Sequence, residues 1–263
     1  AKGGHKAIAV TDHGGVQAFP EAAKAAKKHG IKMIYGVEAN VVNDAVPVVL
    51  KADGRALAGA TYVVFDIETT GLSVTNHKII EIAAVKMTDG KIADQFSTFV
   101  NPHEKIPDQI VQLTNITDDM VKNAPGEGEV IPRFVQWVGD AVLVAHNARF
   151  DTGFLTAACK RHGLDEMPNP VLDTLELARL LFPTLKNHRL NTLAEKFKVD
   201  LTNHHRAVDD AKALGEILVH LLKEADGRNM KVLSQLNDYV GSDLSNARPF
   251  HCNIYALNAT GKK

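Results

Sequence analysis

The sequence predicts an α/β protein built on a mixed sheet, three antiparallel strands followed by parallel ones, with helices on its faces and pieces of a second α/β unit at both ends. Three observations carry this. Three strand-like segments follow one another from residue 61, with an Asp89-Gly90 turn between the second and third. Helical and strand-like segments then alternate as far as residue 225. A strand-helix-strand pattern at the start and a lone strand near the end find no partner in that middle stretch.

Taken in order, residues 7–10 are a short apolar run, 16–29 are Ala/Lys-rich with Gly30 placed to end a helix, and 31–37 are apolar again. Such a βαβ unit needs a parallel sheet that residues 1–50 cannot supply alone. Residues 51–60 are small and rich in Gly and Ala, which reads as a linker and sets a boundary near residue 60. The expected organisation is therefore 1–60, 61–225 and 226–263. In the middle part strands are expected at 62–67, 79–87 and 92–100, then helices at 108–113, 117–121 and 129–138. A strand at 141–145, a helix at 151–162 closed by Gly163, and a strand at Val171-Leu172 follow. Helices at 174–181, 190–197 and 208–224 complete it; the last places Leu214, Ile217, Leu218 and Leu221 at helical spacing. This is the element order of a ribonuclease H-like fold. After Asp226 come a polar helix and a strand at 249–257.

Composition restricts the function less. The 263 residues, 45% hydrophobic, can bury one large core or two smaller ones. With 30 Lys+Arg against 31 Asp+Glu there is no global basic field, so a nucleic-acid partner has to be held locally. No apolar run approaches the roughly 20 residues of a membrane span, and the N-terminus lacks a signal-peptide core, so a soluble, cytoplasmic protein without membrane contact is expected. Cys159 and Cys252 lie far apart without C-x-x-C spacing and are expected to be ordinary buried thiols.

The chemistry lies in a few acids and one imidazole. Asp66 and Glu68, two residues apart on a strand, share one face. Two-metal phosphodiester hydrolysis holds cations about 3.5–4 Å apart, and hard ions take carboxylate oxygens. An isolated Asp-x-Glu is more often a solvated strand-end pair. Asp151 follows an apolar strand and opens a helix, where an acid alone would merely suit the helix dipole. Asn147 sits just beyond that strand, where open α/β sheets bind ligands, and Phe150 offers an apolar ring beside the acid. Asp210 lies in the first turn of the long helix with His205 just before it, and an imidazole of pKa about 6.5 can take a proton from an attacking water. Lys186, His188 and Arg189 form a local basic group suited either to phosphates or to solvent. Asp173 reads as the cap of the helix that follows it.

The segments Asp66-Ile67-Glu68-Thr69-Thr70-Gly71, His146-Asn147-Ala148-Arg149-Phe150-Asp151 and His205-Arg206-Ala207-Val208-Asp209-Asp210 resemble the three motifs of the DnaQ-like 3′→5′ exonucleases, in the histidine-bearing subclass. The step from His205 to Asp210 matches that subclass; a tyrosine-bearing sister class places its base where this chain has Arg206. The resemblance implies that Asp66, Glu68, Asp151 and Asp210 bind two divalent cations, Mg²⁺ or Mn²⁺, that His205 is the general base, and that Thr69, Thr70 and Gly71 contact substrate, with Asn147 and Phe150 beside them. Residues 4–14 and 34–40 resemble inner motifs of the polymerase and histidinol phosphatase (PHP) domain, and Arg248-Pro249-Phe250-His251 a later strand of it. That would place Asp12 or His13, Glu38 and His251 in a metal cluster, although the His-x-His that opens this cluster in the family is absent from the sequence. An exonuclease set between two parts of a PHP domain is similar to the arrangement in PolC-type replicative DNA polymerases. It implies proofreading at a single-stranded or frayed DNA 3′ end, with the rest of the polymerase and the replisome as partners and the polymerase site elsewhere. It also implies that the terminal strands pair as members of one (β/α) barrel. A 3′ exoribonuclease and a non-catalytic scaffold are the rival readings.

Overall fold

The computed structural model describes residues 3–13, 15–41, 46–201, 207–238 and 250–256. The chain divides into two compact units, Val46–Val240 on the one hand and Ala1–Ala45 with Gly241–Lys263 on the other.

In the terminal unit β1 (Ala7–His13) runs parallel to β2 (Lys32–Val41), connected by α1 (Phe19–His29). Pro20 in the first turn of α1 costs no hydrogen bond, and Gly30 ends the helix in the left-handed region at φ 63°. The expected βαβ unit is therefore present. Its missing neighbour is β9 (Phe250–Tyr255), which pairs antiparallel with β2, so the two orphan pieces complete each other in a three-stranded sheet. Among the described residues this sheet does not close into a barrel. Cys252 lies exposed on β9, unlike buried Cys159, because a strand at the rim of a small sheet has too little core to cover it.

The central unit is organised by a six-stranded sheet of order β3-β8-β7-β4-β5-β6. Its strands are β3 (Val49–Leu50), β4 (Thr61–Thr69), β5 (Ile79–Thr88), β6 (Lys91–Phe99), β7 (Val142–Ala145) and β8 (Val171–Asp173). β4, β5 and β6 form the expected meander; Asp89 and Gly90, at φ 52° and 72°, supply the paired positive φ of a two-residue hairpin. β7 joins β4 and β8 joins β7 in parallel, as the alternating pattern predicts. The helices are α2 (Asp108–Thr114), α3 (Asp118–Val121), α4 (Glu127–Val138), α5 (Ala148–Arg161), α6 (Thr174–Leu181), α7 (Leu190–Phe197), α8 (Ala207–Gly227) and α9 (Gln235–Asp238).

Period-2 alternation on β4 sorts the core. Tyr62 and Val64 pack with Leu177, Leu193, Leu214 and Ile217, the side of α6, α7 and α8, whereas Val63, Phe65 and Ile67 pack with Phe134 and Phe154, the side of α4 and α5. Burial on both faces explains why β4 reads as a nearly continuous apolar run until Asp66. Gly215 lets α8 close on β5, since a Cβ there would lie 2.7 Å from Met87 Sδ.

The central unit is wider than the expected 61–225. Residues 46–60 are packed structure rather than a linker: β3 pairs antiparallel with β8, Leu57 is buried, and the Leu57 amide donates to Lys231 O. The return segment after α8 buries Met230, Leu233 and Leu236 in the same core. The segment that suggested a linker is held both by backbone hydrogen bonds and by burial of Val48, Val49 and Leu57. No helix among the described residues is long and apolar enough to cross a membrane.

Candidate active site

Asp66 and Glu68 end β4 on the face that carries α8. Asp210 lies in the first turn of α8 and is buried, which brings it to the same carboxylates. Asp151 comes from the opposite layer. It occupies the first turn of α5, whose start directly follows β7, the parallel neighbour of β4. Its carboxylate is buried at 4% exposure and takes hydrogen bonds from its own backbone and that of Ile67, which lies between Asp66 and Glu68. Helix packing on both faces of one strand end thus gathers the four acids expected from the sequence.

Their electrostatics are those of acids buried side by side. Burial, and then the charges of Asp151, Glu68, Asp210 and Glu81, push the Asp66 carboxyl well above the ordinary carboxylate range. Burial, Glu81 and Asp210 push Glu68 up to about 8. Asp151 is raised to about 8 by burial against the pull of its backbone hydrogen bonds, with Asp173 and Glu68 adding to the rise. Among the described residues no Lys or Arg forms an ion pair with Asp66, Glu68 or Asp151. Four hard oxygen donors that repel one another, on rigid elements and with Asp66 and Glu68 partly exposed, fit divalent cations.

The turn after the acids is built from within. The Thr69 hydroxyl donates to Gly71 O at 2.8 Å, and the Thr70 hydroxyl donates to Glu104 at 3.0 Å while accepting from the Lys78 amide at 3.0 Å. Both hydroxyls thereby help to shape the turn. Gly71 has no room for a side chain, since a Cβ would meet the His77 ring at 2.6 Å. Asn147 is exposed in the left-handed region, and Phe150 packs on Phe154 with ring centroids 5.0 Å apart. In the basic loop, His188 Nε2 is hydrogen-bonded at 2.8 Å to Phe182 O, while Lys186 and Arg189 are exposed. His205 lies outside the described residues.

Three features escaped the sequence reading. Glu81, 2% exposed, stands directly across from Glu68 on β5; a charge inside the apolar run Ile79 to Val85 was its signal. Leu72, 83% exposed in the turn after Gly71, is the most exposed large apolar side chain among the described residues, and an apolar residue in a polar turn was the sign. Asp173 caps α6 as expected, accepting from the Leu175 amide, but also accepts from the Asn147 and Ala148 amides.

In the terminal unit the structure brings His13, Glu38 and His251 together and leaves Asp12 out. Glu38 Oε1 lies 3.2 Å from His13 Nδ1 and 3.0 Å from His251 Nδ1, and ligand atoms of all three fall within 4.8 Å of one another. The hydrogen bond from His13, followed by that from His251, holds Glu38 below the usual carboxylate range. Asp12 instead accepts from the Ala18 amide at 2.6 Å, at the start of α1.

Comparison with known proteins finds both families in the chain. A family model described as Exonuclease matches residues 63–218, and a PHP domain model matches residues 1–105, its later part running into strands of the central sheet. Over its whole length the chain is 53% identical to the DNA polymerase III PolC-type of Halalkalibacterium halodurans and 51% identical to that of Bacillus subtilis strain 168, spanning 18% of each of those longer proteins. The solved structure of exonuclease X in complex with 5′ overhanging duplex DNA is 31% identical; the match has a TM-score of 0.53 and covers 68% of this chain and 99% of that one. With its family model covering more than half of the chain and all four gathered acids, the chain belongs to the exonuclease family.

Proposed function

We propose that this chain removes nucleotides one at a time from the 3′ end of single-stranded or frayed DNA, and that it does so as the proofreading part of a PolC-type DNA polymerase III in the bacterial cytoplasm. The convergence of Asp66, Glu68, Asp151 and Asp210 at one strand end carries the reading, and the likeness to PolC-type polymerases on both sides of the central unit favours DNA over RNA.

Asp66, Glu68, Asp151 and Asp210 would hold two divalent cations, Mg²⁺ or Mn²⁺. When bound, such ions lower the pKa of the attacking water and neutralise charge on the leaving 3′ oxygen. The protein's own part is to hold the four acids fixed together, where their mutual repulsion favours binding of cations. His205, five residues before Asp210 in sequence, takes the proton from the water. The backbone of the turn at Thr69, Thr70 and Gly71, the exposed Leu72 beyond it, Asn147 and Phe150 flank the terminal nucleotide, with Leu72 and Phe150 offering apolar surface to a base. Lys186 and Arg189 offer charge to the phosphates. The remainder of the polymerase and the replisome are the partners. In the terminal unit, His13, Glu38 and His251 form part of a separate PHP metal site whose two imidazoles and one carboxylate suit Zn²⁺ or Mn²⁺.

Incubation with a 5′-labelled single strand and Mg²⁺ should give a ladder shortening from the 3′ end. Intact substrate, or a ladder that survives Asp66→Ala, refutes the proposal. An equal ladder on RNA would reassign the chain to the exoribonucleases, and the absence of any Mn²⁺ binding that depends on Asp66 and Asp210 would favour the scaffold reading.

A further inference from the structure

The junction where β7 turns into α5 is stitched to the junction where β8 turns into α6. Ala145 and Asp173 are register partners at the ends of these parallel strands. The Thr174 hydroxyl donates to Ala145 O at 3.2 Å and lies 3.0 Å from His146 Nδ1. Asp173 does most of the joining. Its Oδ1 accepts from the Leu175 amide of α6 at 2.9 Å and from the Asn147 amide at 3.1 Å, and its Oδ2 accepts from the Ala148 amide of α5 at 2.9 Å. Asn147, the residue ahead of α5, makes no capping bond with its own side chain. The start of α5 is thus capped from a neighbouring strand.

A helix cap alone does not require this residue, because Ser or Asn caps as well as Asp. Asp173 is also an awkward choice, being buried, and its charge works against a second buried acid, Asp151. What the carboxylate adds is a second oxygen, and that oxygen reaches α5. Asp151 sits one turn further along, so the Oδ2 bond to Ala148 fixes the helix end that carries it.

We propose that Asp173 is a positioning residue for the hydrolysis, which, by capping α5 and α6 together, sets Asp151 against Asp66 and Glu68. This rests on reading the four acids as the cation site. Two substitutions separate the roles. Asp173→Asn keeps one acceptor oxygen but turns an NH₂ toward one of the amides, and Asp173→Ser keeps an α6 cap while being too short to reach α5. For the 263-residue chain carrying either, Mn²⁺ affinity by titration calorimetry should fall about 10–100-fold. The kcat on a DNA single strand should fall about 100-fold with KM within threefold. Melting in EDTA reports fold damage separately. Mn²⁺ affinity and kcat within twofold of wild type in a folded variant overturn the proposal whatever the melting temperature. A wild-type chain that binds no Mn²⁺, or binds it equally well as Asp66→Asn, overturns the reading of the four acids and this proposal with it.

Discussion

Without cations the cluster should destabilise the fold as the pH rises, and the size of the effect follows from its burial. Glu68 moves from 4.5 to about 8 and Asp151 from 3.8 to about 8. A carboxyl group whose folded pKa exceeds its unfolded value binds more protons in the folded state across that interval. Its contribution is complete below about pH 4 and is lost as the pH climbs through 8. His146 opposes this at lower pH: burial lowers its imidazole to about 4, so the folded state gains from that group between 4 and 6.5. The window from pH 6.5 to 8 therefore isolates the acids. Each then costs roughly 1.6 kcal/mol, about 3 kcal/mol for the pair, and nearer 2 once water at the partly exposed edge of Glu68 screens it. At about 2–4 °C per kcal/mol for a unit of this size, melting in EDTA should drop by about 4–8 °C across the window. Circular dichroism melts at half-unit steps measure it. Mg²⁺ should abolish the slope, and Glu68→Gln should reduce it without removing it, since Asp151 and Asp66 are raised as well. A melting temperature that stays level or rises between pH 6.5 and 8 in EDTA refutes the reasoning.

His205→Ala should lower kcat by about 10²–10⁴-fold while Mn²⁺ affinity in calorimetry stays within a few-fold of wild type, since a base is lost and no ligand is. Arg161→Ala removes the bidentate partner of Glu127, whose buried carboxylate keeps the Ile79 amide and His162 beside it, and should cost about 1.5–3 kcal/mol in urea unfolding. Arg133→Ala, breaking an exposed pair with Glu129, should stay within about 1 kcal/mol of wild type in the same experiment. A piece covering 46–240 should fold and degrade DNA. A 61–225 piece lacks buried Val48, Val49, Leu57, Met230, Leu233 and Leu236, at about 1.5–3 kcal/mol each, and should show no cooperative melt.

The parts that the sequence disclosed are those governed by short periods. Alternation on β4 put Asp66 and Glu68 on one face, Asp89-Gly90 marked a hairpin, and Gly30 and Gly163 ended helices at positive φ. Asp151 and Asp210 were legible because each belongs to a first helical turn next to a strand end. The misread parts depend on partners far along the chain. Val49 and Asn237 exchange two hydrogen bonds across 188 positions, and no local pattern in 46–60 announces that pairing. Asp173 was recognised for the cap two residues away and missed for the one on α5, because the first is a local rule and the second a property of strand register. One of the bonds that shape the turn after the acids is of the same distant kind, with Glu104 reaching the Thr70 hydroxyl from 34 residues away.

The same distant pairs explain how one sheet can be interrupted by another domain. β2 and β9 are adjacent strands, and Glu38 meets His251 across 213 positions of sequence. Closing a disordered loop of ~200 residues costs about 3 kcal/mol more than closing one of ~5 by chain entropy. The central unit removes most of that cost, because Val49 and Asn237 hold its own entry and exit together, so that to β2 and β9 it behaves as a short loop. Folding of the central unit therefore favours formation of the His13, Glu38 and His251 trio without any residue of one unit having to touch the other.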